Sequence, residues 1–123
     1  MEENKTLQGN EQISEPEKKI ILIIDDEDDI SNEIQAALSD EFTFLRARNG
    51  EEGLNAIRDN TKKIALVLLD TVMPVMSGFE MMRIKQGERR ISNIPVVVLA
   101  SEKSEESQSL KLGAIDFIKK PFE

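Results

Sequence analysis

The chain has 123 residues, 39% of them hydrophobic, which suits one domain with a single core. It contains no cysteine and no histidine, which excludes disulfides, thiolate nucleophiles, the usual zinc sites and histidine-based catalytic triads. A formal net charge of -8, from 24 acidic and 16 basic residues, argues against non-specific binding to nucleic acid or anionic lipid. Chemistry must therefore come from Asp, Glu, Lys, Ser or a bound ion.

Targeting and membrane signals are weak in this sequence. The longest apolar run, residues 94–100, contains Pro95 and is far shorter than the ~18 residues typical of a membrane span. No basic and apolar leader opens the chain. We therefore expect a cytoplasmic protein without membrane association.

The first residues differ in composition from the rest. Residues 1–18 are rich in glutamate and poor in apolar side chains, and Gly9 and Pro16 interrupt them. This pattern predicts a flexible acidic tail that precedes a folded domain over residues 19–123.

Two apolar runs end in carboxylates. Ile20–Ile24 precedes Asp25 and Asp26, and residues 64–69 precede Asp70. Aliphatic runs of this length are typical of strands that are buried on both faces of a parallel sheet. Because the ligand crevice of an open α/β sheet lies outside the carboxyl ends of its strands, we expect the three acids to converge there.

The other elements alternate along the chain. Apolar spacing predicts helices over residues 27–39, 51–58, 79–86 and 101–112, and further strands over residues 42–47, 96–100 and 115–118. Five strands that alternate with four helices predict a doubly wound, parallel α/β sheet. The dinucleotide-binding glycine motif and the Walker lysine motif do not occur, so this sheet is not expected to bind nucleotides in those ways.

The three acids favour a metal site. Carboxylates that lie close together repel one another and are costly to desolvate unless a cation joins them. Mg²⁺ suits Asp25, Asp26 and Asp70 because it takes oxygen ligands and often shares phosphate oxygens. In the flavodoxin-like strand order 2-1-3-4-5, Lys120 would bring a second positive charge to the same edge.

Asp70 is the best candidate nucleophile, because it stands alone at its strand end whereas Asp25 and Asp26 form a pair suited to metal. A carboxylate beside Mg²⁺ and an ammonium group can attack phosphorus and form an aspartyl phosphate. Lys120 would then offset charge on the transferred group. The alternative is a solvated acidic rim in which Asp26 or Glu27 caps a helix and Lys120 is a surface lysine.

Four short motifs together resemble the receiver domain of two-component response regulators. They are IDDE at Asp25 and Asp26, LLDTVMP at Asp70, MSG ending at Gly78 and KPF at Lys120, and the match covers about residues 19–122. The resemblance implies that Asp70 accepts a phosphoryl group from a kinase phosphohistidine. It also implies Mg²⁺ ligands at Asp25, Asp26, Asp70 and the carbonyl of Val72, and a cis bond before Pro121.

The partners follow from the same resemblance. It implies a sensor histidine kinase or a phosphotransfer protein as donor, with a downstream effector domain or a homodimer as output, and no direct nucleic acid binding by this domain. The family normally has a fifth helix after the KPF motif. Because the sequence stops at Glu123, we expect that helix to be absent and the apolar surface beside strands one and five to be exposed.

Two positions depart from the family pattern. The hydroxyl residue that usually closes strand four is Ala100, with Ser101 one place later, and the switch aromatic falls on Phe117, which lacks a hydroxyl. Successive strand residues face opposite sides, so Ser101 could substitute only if the strand ended early. We therefore expect phosphate acceptance to survive and the conformational response to be weaker.

Three functions are compatible with these residues. The first is a signalling switch that catalyses its own phosphorylation and hydrolysis and is not a conventional enzyme. The second, favoured by Ala100, is a degenerate receiver that acts as a phosphorylation-independent protein-interaction module. The third is a magnesium phosphohydrolase of the haloacid dehalogenase type, which is disfavoured because Val72 stands where that motif has a second aspartate.

Overall fold

The computed structural model describes residues 18–73 and 75–120. It contains a five-stranded parallel sheet in the order β2-β1-β3-β4-β5, which confirms the predicted fold class. The elements are β1 Ile20–Ile24, α1 Asp28–Leu38, β2 Thr43–Ala47, α2 Gly50–Asp59, β3 Ile64–Asp70, α3 Gly78–Gln86, β4 Val96–Ala100, a 3₁₀ turn Lys103–Glu105, α4 Glu106–Lys111 and β5 Asp116–Lys119.

The interior strand β1 is buried along its whole length, as its aliphatic sequence predicts. It pairs with β2 on one side and with β3 on the other. The last residue of β1, Ile24, lies opposite Leu69 of β3. This register brings Asp25, which follows β1, beside Asp70, which ends β3.

Apolar side chains cover both faces of the sheet. Helices α2 and α3 pack on one face through residues that include Leu54, Ile57, Met81 and Met82, so two methionines are part of the core. Gly53 allows α2 to approach closely, because a Cβ atom there would lie 2.4 Å from Cδ1 of Ile24.

The opposite face, on which α1 packs, is better covered than expected. The buried side chains of β1, β3 and β4 on this face are at most 8% exposed, and Leu66 of β3 is partly buried. They pack with Ile34, Leu38, Phe42 and Phe44. The prediction of an exposed apolar surface beside strand one was therefore wrong. On the edge strand β5, Ile118 is 42% exposed, as expected there.

The predicted helix over residues 101–112 is shorter than expected. Ser101 and Glu102 lie outside it, the 3₁₀ turn follows, and α4 has only six residues. The physical reason is the scarcity of apolar anchors: Leu110 is 46% exposed, and Leu112 packs against the core only in part. The chain leaves this segment at Gly113, whose φ of 103° favours glycine.

Some expectations fall on residues outside the described ranges. The acidic tail lies almost entirely in residues 1–17, and the predicted cis bond involves Pro121. Within the described ranges, no helix combines the length and apolarity that a membrane span requires.

Candidate functional site

Three carboxylates meet at the carboxyl edge of the sheet. One oxygen from each of Asp25, Asp26 and Asp70 lies within 4.8 Å of the other two. Asp25 is fully buried and Asp70 is 5% exposed, whereas Asp26 is exposed to solvent. Two of the three negative charges are therefore largely removed from water, which is costly without a compensating cation.

Asp25 has one satisfied carboxylate oxygen and one unsatisfied oxygen. Its Oδ1 accepts a hydrogen bond of 2.9 Å from the backbone N–H of Glu27. Its Oδ2 is buried and has no hydrogen-bond partner among the described residues. A buried oxygen of this kind normally has a partner, and a hard divalent cation bound by oxygens would provide one. The donor set of this cluster fits Mg²⁺.

Asp70 faces two positive or hydrogen-donating groups. The backbone N–H of Val72 donates to its Oδ1 over 3.3 Å, and Nζ of Lys120 lies 3.7 Å from the same oxygen. The backbone N–H of Lys120 donates to the carbonyl of Ala100 over 2.8 Å, which fixes the lysine beside the end of β4. The sheet itself thus places the ammonium group next to Asp70.

The electrostatic balance at Asp70 disfavours its charged form. Burial raises the pKa of Asp70 from 3.8 to about 6. The hydrogen bond from Val72 and the charge of Lys120 oppose this rise, and Asp25 adds to it. An additional cation would favour the ionised carboxylate, which is the nucleophilic form.

A cleft of about 510 Å³ opens above these groups. It is lined by Asp26, Glu27, Asp70, Thr71, Val72, Ser101 and Lys120. Because a carboxylate and an ammonium group face the same open space, a small phosphorylated group could reach Asp70 from solvent.

The predicted switch positions do not all reach this cleft. Ala100 is 1% exposed and belongs to the core, whereas Ser101 lines the cleft because β4 ends at Ala100. Phe117 is partly buried and packs against the core on the α2 and α3 face. β4 ends at Ala100, as predicted, so Ser101 already lies outside the strand and the alternation of strand residues does not decide which way it faces.

The family model for the response regulator receiver domain matches residues 21–123. The chain belongs to this family. Its four motifs and its strand order agree with that assignment.

Three similar proteins illustrate the relationship. The receiver domain is 34% identical over 112 residues to Histidine kinase P4 of Formosa agariphila, covering 89% of this chain and 8% of that protein. It is 36% identical over 107 residues to the phosphate regulon transcriptional regulatory protein PhoB of Pseudomonas aeruginosa, and the match covers 85% of this chain and 46% of that protein. The crystal structure of the CheX-CheY-BeF₃-Mg²⁺ complex from Borrelia burgdorferi matches with a TM-score of 0.74 and 26% identity. The match covers 85% of this chain and 80% of that chain.

The chain spans only part of these curated relatives, 8% of the first and less than half of the second. Both are signalling proteins by name, a histidine kinase and a transcriptional regulator. Receiver domains generally bind Mg²⁺, and the acid cluster of this receiver domain could hold a metal ion.

The side chain of Glu27 does not cap α1. Glu27 occupies the N-cap position of α1, but its side chain makes no capping hydrogen bond. The side chain lines the cleft instead. The alternative that explained one acid as a helix cap is therefore wrong for Glu27.

Two residues near the site were not predicted. The guanidinium of Arg46 on β2 donates to the carbonyls of Asp25 and Glu27, both over 3.2 Å. It thereby holds the turn that carries the acids.

Thr71, which follows Asp70 directly, is 3% exposed and donates to Oε1 of Glu105 over 2.6 Å. The sequence could have indicated the role of Arg46, because it is a single arginine on a strand next to an acidic turn. It could not have indicated the Thr71 contact, which joins segments that are distant in sequence.

Gly78 brings the start of α3 against the backbone of Asp70. Its N–H donates to the carbonyl of Thr71 over 3.1 Å. A Cβ atom at Gly78 would lie 2.5 Å from the carbonyl oxygen of Asp70 and 2.8 Å from Cα of Thr71. Since both are backbone atoms, any side chain at Gly78 would displace the loop that follows Asp70.

The same loop contains a strained residue. Val75 has a φ of 68° and is 77% exposed. A β-branched residue in the left-handed region costs roughly 1 to 2 kcal/mol, and the exposed side chain offers little packing in return.

Val75→Gly should stabilise the receiver domain by roughly 1 kcal/mol, because glycine adopts this φ without strain. The measurement is urea unfolding without metal. Val72→Gly is the matched control: Val72 is 70% exposed and has no positive φ, so this change should leave stability equal or lower. An equal effect of both substitutions would contradict the strain argument.

The pKa of Asp70 predicts a pH-dependent stability in metal-free buffer. The folded value is raised from 3.8 to about 6, so the native state holds this proton more tightly than the unfolded state. The resulting stabilisation is present at low pH and is lost as the pH rises through this window. Asp70→Asn removes the titration. As the pH rises from 4 to 6, the free energy of unfolding of the variant should therefore increase relative to that of wild type. Above pH 6 the difference between the two proteins should stay constant, as measured by urea unfolding in EDTA. A difference independent of pH would refute the raised pKa.

Proposed function

We propose that this receiver domain is a phosphoaccepting signalling switch that requires Mg²⁺. In this proposal, Asp70 receives a phosphoryl group from the phosphohistidine of a histidine kinase or a phosphotransfer protein. The observation that carries the proposal is the proximity of the Asp70 carboxylate both to two further carboxylates and to the ammonium group of Lys120.

The chemical step follows from these groups. A carboxylate oxygen of Asp70 attacks the phosphorus, the P–N bond to the donor imidazole breaks, and the imidazole leaves with the bonding electron pair. The product is an acyl phosphate on Asp70. Lys120, 3.7 Å from Oδ1, offsets negative charge on the transferred phosphoryl group.

Asp25, Asp26 and Asp70 would hold the metal, together with the carbonyl of Val72. Bound Mg²⁺ supplies positive charge to the carboxylates and to the phosphoryl oxygens. The unsatisfied Oδ2 of Asp25 supports this assignment, because an oxygen-binding cation would satisfy it.

Water would later hydrolyse the acyl phosphate and reset the switch. The receiver domain then acts on its own side chain and is not a conventional enzyme with a separate product. The name of the Borrelia CheY structure includes BeF₃ and Mg²⁺, which supports a phosphate-like ligand and a metal in a related fold. The names of the relatives support a histidine kinase as donor and an effector domain as output, with a homodimer as the alternative.

A second candidate is a degenerate receiver that binds its partner without phosphorylation. Ala100 favours it, because its methyl group is packed in the core and offers no hydroxyl to a phosphoryl group. Phe117 also favours it, because its ring packs against the core and offers no hydroxyl for a hydrogen bond.

Acetyl phosphate with Mg²⁺ should give the wild-type receiver domain one phosphoryl adduct, measured by intact mass. Asp70→Asn should abolish the adduct, because it removes the nucleophilic oxygen. Asp59→Asn is the matched control, since Asp59 is an exposed acid at the end of α2, outside the cleft, and should leave labelling unchanged.

Two other outcomes would redirect the assignment. An unmodified wild-type mass under conditions that label another receiver domain would favour the degenerate receiver. Rapid multiple turnover of p-nitrophenyl phosphate would favour a phosphohydrolase.

A further inference from the structure

A hydrogen bond joins the phosphoacceptor loop to the segment that follows β4. Oγ1 of Thr71 donates to Oε1 of Glu105 over 2.6 Å, across 34 positions of sequence. Thr71 is 3% exposed, follows Asp70 directly and lines the same cleft as Asp70 and Lys120. Thr71 therefore belongs to the cleft that contains Asp70 and is also hydrogen-bonded to Glu105.

Glu105 is also hydrogen-bonded to α4. It is the last residue of the 3₁₀ turn Lys103–Glu105, and its carbonyl accepts a hydrogen bond of 2.8 Å from Oγ of Ser109. Ser109 is fully buried. A continuous series of hydrogen bonds thus leads from Thr71 through Glu105 into α4.

This segment depends on few other contacts. Helix α4 has six residues, its N-cap residue makes no side-chain capping bond, and Leu110 on its surface is 46% exposed. Segments with little buried apolar surface open locally at low free-energy cost. The loss of the part-buried hydrogen bond between Thr71 and Glu105 would therefore change the opening of α4 measurably.

Phosphorylation would place Thr71 between two acceptors. A threonine hydroxyl has one proton to donate, so it serves either Glu105 or a phosphoryl oxygen on Asp70. A phosphoryl group also brings about 1.5 to 2 negative charges into the cleft, which repel the Glu105 carboxylate. Both effects act in the same direction, away from the Thr71–Glu105 bond.

We propose that Thr71 exchanges Glu105 for a phosphoryl oxygen when Asp70 is phosphorylated, and that this exchange releases residues 103–111. Thr71 is then a positioning residue that transmits the state of Asp70 to α4. The inference rests on the proposed function, and it gives this receiver domain a hydroxyl-dependent response although Ala100 and Phe117 carry no hydroxyl.

Amide hydrogen exchange over residues 103–111, with and without BeF₃⁻ and Mg²⁺, tests the proposal. In wild type, BeF₃⁻ should accelerate exchange roughly tenfold, since a hydrogen bond to a charged group is lost. Thr71→Val keeps the shape of the side chain and removes the hydroxyl. It should show the fast exchange already without BeF₃⁻ and little further change with it.

Three more variants make the result specific. Thr71→Ser retains the hydroxyl and should behave as wild type, which separates the hydroxyl from effects on folding. Glu105→Gln retains an acceptor without charge repulsion, so BeF₃⁻ should accelerate exchange less than in wild type. Ser104→Ala alters an exposed neighbour on the same turn and should change nothing.

The readouts separate this proposal from the proposed function. Binding of BeF₃⁻ is followed independently by its ¹⁹F NMR signal. If wild type does not bind BeF₃⁻, the phosphoacceptor assignment fails and this inference fails with it. If BeF₃⁻ binds but exchange over residues 103–111 is unchanged, or if Thr71→Val responds as wild type does, only the role of Thr71 is refuted.

Discussion

The repulsion among three carboxylates at the carboxyl edge of the sheet is the constraint on which the site depends. The strand order places β1 beside β3, and the pairing of Ile24 with Leu69 fixes Asp25 next to Asp70. The fold therefore holds like charges together regardless of their mutual cost. Burial contributes most to this cost and raises the pKa of Asp70 to about 6, with a smaller contribution from the neighbouring Asp25. A site in which three carboxylates lie this close together favours the binding of a cation.

Several features of the fold supply part of that charge or hold the acids in place. Lys120 reaches Asp70 from the end of β5, and Arg46 on β2 fixes the carbonyls of the turn that carries Asp25. Gly78 lets α3 begin against the backbone of Asp70. These contacts come from three different elements, β5, β2 and α3, so the site is a property of the whole sheet edge. They leave Oδ2 of Asp25 without a partner within the described part of the chain, and this atom is the most direct structural argument for a cation.

Much of this arrangement could be predicted from the sequence, because it follows from local patterns. The aliphatic runs gave the bounds of β1 and β4 correctly, and the rule for crevices in open sheets brought the three acids together. The helix predicted over residues 101–112 was too long, since local spacing does not reveal how few of its side chains find a packing partner. The contact between Thr71 and Glu105 could not be predicted, because it joins residues that only the tertiary fold brings together. The end of β4 at Ala100 was predicted, but the alternation of strand residues could not show that Ser101, the first residue outside the strand, lines the cleft.

The most direct test of the central claim is the thermal stability of the receiver domain as a function of Mg²⁺ concentration, compared between wild type and Asp25→Asn. A ligand that binds only the native state stabilises it in proportion to the logarithm of its excess over Kd. The account predicts that Tm of wild type rises with Mg²⁺, and that Asp25→Asn is more stable than wild type without metal but loses most of the rise. A wild-type Tm that does not change with Mg²⁺, or an equal rise in both proteins, would contradict it.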